Sequence, residues 1–66
     1  MRLKIDLMIC LKDQRPKSIA TTYIPIDVNW TVDMMNIKGY EILQKCKEEN
    51  PFLKHGDVWH IITYRN

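Results

Sequence analysis

The sequence predicts an α+β fold of the β-β-α-β type, in which three antiparallel strands in the order 2-1-3 carry one helix packed on one face. Three observations lead to it. The apolar residues from Leu3 to Leu11 fall on every second position, those between Val32 and Cys46 recur at intervals of three and four, and Val58 to Tyr64 is rich in β-branched and aromatic side chains. With 66 residues, 45% of them apolar and 27% charged, residues 1–66 form a single small domain with room for one core.

In the first strand Leu3, Ile5, Leu7, Ile9 and Leu11 share one face, and Arg2, Lys4, Asp6 and Lys12 lie between them. Met8 and Cys10 interrupt the polar face, so something is expected to cover its far end. The charged, proline-containing segment Lys12-Asp13-Gln14-Arg15-Pro16-Lys17 ends the strand and lets the chain reverse. A second strand follows from about Ile19 to Ile26, with Ile24 and Ile26 inward. Pro25 lacks the amide hydrogen that a central strand would donate, which places this strand at an edge.

Beyond Asp27-Val28-Asn29-Trp30, the spacing of Val32, Met35, Gly39, Ile42, Leu43 and Cys46 makes one stripe of a helix. Asp27, Asn29 and Thr31 are all N-cap types, and the sequence does not choose among them. Glu41 with Lys45 is an exposed pair in the favourable order. Asn50-Pro51 stops the helix, because the residue before a proline is pushed out of the helical region. Gly39 costs about 1 kcal/mol relative to alanine, and close approach of helix to sheet is its simplest use, ahead of a contact with a partner. His55-Gly56-Asp57 is a turn, and Val58 to Tyr64 the closing strand. A right-handed crossover makes that strand parallel to the second, on the far side of the first. One helix covers one face of such a sheet and leaves the other open to water or to a partner.

A net charge of +2 is weak beside domains that depend on neutralising phosphates. The apolar stretches are far shorter than the roughly 20 residues of a membrane span, and Lys4, Asp6 and Lys12 break what a secretory leader would need. The expectation is a cytoplasmic protein whose two cysteines, Cys10 and Cys46, stay as buried thiols. His55, His60, Cys10 and Cys46 are zinc-ligand types without ligand spacing, so no metal is expected. Cys10 and His60 would be neighbours if the first and third strands paired, a weak hint of a nucleophile and its base. Asp6, Asp27, Asp33 and Asp57 show no acid–base spacing, and two glycines cannot build a phosphate loop. An enzyme is not expected, nor is a cofactor.

Binding remains. Arg2, Lys4, Lys12, Arg15 and Lys17 read as one basic cluster at an end of the hairpin, suited to nucleic acid if aromatic side chains lie nearby, or simply an edge kept soluble by charge. Trp30 stands where the edge strand turns into the helix, followed by Met34 and Met35. These are residue types enriched at interface centres, although an indole at this corner can equally close the end of a core. Trp59 is expected to pack in the sheet.

The layout resembles the Dmd antitoxins of T-even-like bacteriophages. The likeness lies in Lys4-Ile5 through Met8 to Leu11-Lys12, in Asp27-Val28-Asn29-Trp30 leading into the helix, and in Arg65 near the end. It spans nearly the whole chain with sparse identities, and departs at Gly39 and at the longer stretch Asn50 to Gly56. The resemblance implies a phage protein, acting in the host cytoplasm, that binds a bacterial endoribonuclease toxin of the RnlA/LsoA type and so protects phage messages. Trp30 carries over as a partner contact, and Asp27, Asn29, Met34 and Asn36 join it by proximity. The free chain is expected to be monomeric. Nucleic-acid binding, inhibition of another host protein and a small homodimer are the alternatives.

Overall fold

A computed structural model describes residues 1–65, apart from the side chains of His55 and Arg65. Strand β1 (Arg2–Cys10) is central, flanked by β2 (Lys17–Pro25) and β3 (Asp57–Arg65), and both pairings are antiparallel. Helix α1 (Val32–Glu49) crosses one face, and a short 3-10 helix (Pro51–His55) joins it to β3. The β-β-α-β layout and the 2-1-3 order are as the sequence predicts.

Alternation in β1 sets the core. Leu3, Ile5 and Leu7 are almost wholly buried and pack with Ile26, Met35 and Leu43. Across the ladders Leu3 faces Ile24 and Tyr64, Ile5 faces Thr22 and Ile62, and Leu7 faces Ala20 and His60. Met8 faces Trp59 on the other side of the sheet, where both are half-buried.

Strand β2 departs from simple alternation. Leu7 pairs with Ala20 but Met8 pairs with Ser18, so Ile19 is an extra residue in a bulge. The bulge lets Ile19 pack against the core, although its parity with Thr21 and Tyr23 would send it to the other face. Ile26 lies just past the strand and is nevertheless buried, its amide donating to the Met1 carbonyl at 3.1 Å.

Thr31 is the cap of α1, its Oγ1 accepting from the Met34 amide at 3.1 Å. The Asp27 carboxylate instead accepts from the Asn29 amide at 2.8 Å, which shapes the loop before the cap. At the other end the Asn50 amide and its side-chain Nδ2 both donate to the Cys46 carbonyl at 3.0 Å before Pro51 stops the helix. Met35, Gly39 and Leu43 form the buried stripe, while Val32, in the first turn, is exposed. On the solvent side Lys38 lies 3.9 Å from Glu41, in place of the expected Glu41–Lys45 pair. The 3-10 helix buries Leu53.

Gly39 is a close approach. A Cβ there would stand 2.5 Å from Cδ2 of His60, so the glycine makes room for the imidazole that β3 sends up against α1.

Candidate functional site

Two surfaces among the described residues bear on the expected contacts, one on each side of the molecule. On the helix side, Trp30 is half-buried and packs against the core cluster, and its remaining surface lines a shallow groove with Met34, Ile37, Lys38 and Glu41. The indole is therefore neither sealed inside nor free. Its core side fixes its position and its outer side is available. The groove measures about 170 Å³, and Met34, 44% exposed, forms its apolar wall together with Ile37. The loop that delivers the indole is short and tied down, since the Trp30 amide donates to the Asp27 carbonyl at 3.2 Å and the Asp27 carboxylate holds Asn29.

The structure brings some of the expected contact residues together and separates others. Trp30 and Met34 share the groove. Asp27 and Asn29 are exposed in the loop that leads to it, with the Asp27 carboxylate already engaged. Asn36 is exposed but stands two residues from Met34, about 200° around the helix, on the opposite flank. Ile37, Lys38 and Glu41 were missed, although their signal is plain: they follow Met34 at three, four and seven residues, which is one face of a helix.

The second surface is the sheet face without a helix. Arg2, Lys4, Tyr23 and Thr63 line a cleft of about 180 Å³, with the Arg2 guanidinium 4.9 Å from the centre of the Tyr23 ring. Nearby, Asp6 accepts from the Thr21 hydroxyl at 2.7 Å and lies 3.7 Å from Lys4 Nζ. Further along, Met8, Trp59 and Ile61 make the same face apolar.

Two sequence expectations are corrected here. The basic residues do not form one cluster, because β1 runs between them: Arg2 and Lys4 open the strand, whereas Lys12 and Arg15 belong to the turn after it and Lys17, opposite Ile9, begins β2. At about 3.3 Å per residue, Lys17 stands about 16 Å along the sheet from Lys4, and Lys12 about 25 Å. Nor do Cys10 and His60 meet. Cys10 pairs with Asp57 on the open face, while His60 pairs with Leu7 on the helix face beside Gly39. Both cysteines are free thiols, each half-buried. Among the described residues no three His, Cys, Asp or Glu side chains converge as metal ligands would, and no helix is long and apolar enough to cross a membrane. The His55 side chain and the side chain of Arg65, which entered the resemblance, lie outside the described residues.

Comparison with known proteins finds no matching family, no matching curated relative and no matching solved structure.

Proposed function

We propose that this chain is a protein-binding inhibitor, and in its specific form a phage-encoded antitoxin that neutralises an endoribonuclease toxin of the RnlA/LsoA type in the host cytoplasm. The observation that carries the reading is Trp30, anchored against the core on one side and presented beside Met34 and Ile37 on the other. A pre-positioned indole loses little freedom on binding, which is what distinguishes an interface anchor from an exposed apolar residue. The specific toxin class rests on the resemblance through Asp27-Val28-Asn29-Trp30 and the shared layout. The chain contributes no chemistry on this reading. It occupies a groove of the toxin and excludes RNA.

Co-expression with such a toxin tests the proposal. Growth should be rescued and a stable complex should copurify. Toxicity unchanged, with no complex, removes the specific form of the reading. A second reading draws on the open sheet face, where Arg2, Lys4 and Tyr23 combine charge with a ring on which bases can stack, and Trp59 lies further along the same face. Retention of RNA that falls steeply with salt, in the absence of toxin rescue, would favour it.

A further inference from the structure

The two edges of the sheet are not alike. Strand β2 has a bulge at Ile19, a lysine at its start and Pro25 at its end, each of which blunts an edge against pairing. Strand β3 has none of these. It pairs with β1 over nine positions without a register shift, contains no proline, and carries no acidic, lysine or arginine residue from Val58 to Tyr64. A long regular edge of β-branched and aromatic residues is a template for another strand.

We propose that β3 is the pairing edge of a homodimer, two copies joining antiparallel through β3 about a two-fold axis at Ile61 to make one continuous sheet. The sequence of β3 is complementary to itself in this register. Asp57 of one copy falls opposite position 65 of the other, an arginine in the sequence, so this register aligns residue types of opposite charge at both ends. On the helix side Val58 falls opposite Tyr64, and on the open side Trp59 opposite Thr63 and Ile61 opposite itself. A perpendicular two-fold axis keeps both helices on one side, as continuous pairing requires.

The helix carries an independent match. Gly39 lies over His60, one position before the axis, and α1 runs opposite to β3 at about 1.5 Å per residue, so the axis passes near Asn36 and Ile37. Of the two flanks of its buried stripe, the one with Ile42 packs into the core, and the right-handed crossover leaves the other, with Asn36 and Tyr40, overhanging the β3 edge. Val32 and Tyr40, 52% and 57% exposed, stand symmetrically four residues either side of Asn36. An antiparallel helix pair about that point sets Val32 of each copy against Tyr40 of the other. One axis thus accounts for exposed apolar residues on two elements. The Trp30 groove, on the other flank of α1, stays free, so dimerisation and the inhibitor reading stand or fall separately.

In place of the monomer that the sequence reading expects, analytical ultracentrifugation of the chain alone should show a dimer in reversible equilibrium. Ile61→Lys places two lysines at the axis and should raise the dissociation constant roughly tenfold or more. In the monomer that lysine would face Asp6 of its own chain, so folding, followed by circular dichroism, should persist. Asp57→Arg should also weaken association, and Asp57→Arg combined with Arg65→Asp should restore it. A chain that stays monomeric throughout the accessible concentration range, or a dimer indifferent to Ile61→Lys, overturns the interface. Equal association of the single and double charge variants overturns the register.

Discussion

Trp30 and Gly39 each stand at a junction between packing and approach, and substitutions there separate the two. Trp30 contributes to the core through one side of its ring and to the groove through the other. Trp30→Ala should therefore weaken partner binding by about 2 kcal/mol or more and also lower the melting temperature, because a half-buried indole is lost from a small core. Met34→Ala separates the effects. Its side chain is exposed in the groove, so binding should fall in calorimetry with the monomer's stability nearly unchanged. Gly39→Ala would gain about 1 kcal/mol of helix propensity, yet the new methyl meets Cδ2 of His60 at 2.5 Å and Cγ at 3.1 Å. Because rotation about Cβ–Cγ leaves Cγ in place, relief requires a different χ1 rotamer of His60 or a shift of the helix. The net effect should be a loss of about 1–2 kcal/mol, relieved when His60 is also replaced by alanine, which chemical denaturation of the double-mutant cycle would reveal.

At the level of elements, the sequence showed the strands and helix clearly where one period ran undisturbed. The four alternating apolar positions of β1, Leu3, Ile5, Leu7 and Ile9, specify its face, although Leu11, which continues the pattern, lies just past the strand, and Asn50-Pro51 specifies where α1 ends. Caps were ambiguous because Asp27, Asn29 and Thr31 have the same chemistry, and only the backbone path decides. Thr31 reaches the Met34 amide, whereas Asp27 is occupied by Asn29. Thr31→Ala should accordingly cost about 1 kcal/mol, measured by thermal denaturation, and Asn29→Ala only a few tenths. The bulge at Ile19 was hidden because a single inserted residue leaves the composition of a strand unchanged while reversing its parity. The 3-10 helix at Pro51–His55 is not legible in the sequence beyond His55, placed in a turn, since 5 residues are too few to show a period. The candidate site was half legible: Trp30 with Met34 followed from their neighbourhood, but placing Asn36 with them ignored the rotation of the helix between them.

The whole molecule depends on one thin core. Leu3, Ile5 and Leu7 are its most deeply buried side chains, and a domain of 66 residues has a total stability of only about 3–10 kcal/mol. Ile5→Ala, costing about 2–5 kcal/mol, should leave a substantial unfolded population at 25 °C, visible as lost dispersion in an amide NMR spectrum. Substitutions on the open sheet face, such as Thr63→Ala, should leave the spectrum folded. That contrast follows from having one helix and two sheet faces.

The strand order also constrains how the molecule assembles. Leu3 must meet Ile24, a local step through a short hairpin, and Tyr64, a step that closes almost the entire sequence into a loop. The second closure costs its entropy before any contact rewards it, so the hairpin is expected to form ahead of the docking of β3, an order that φ-values at Ile24 and Tyr64 would check. During that interval β1, the most apolar strand of the chain, is half-paired, and the speed of the late closure decides how long it is open to capture by chaperones or by other nascent chains.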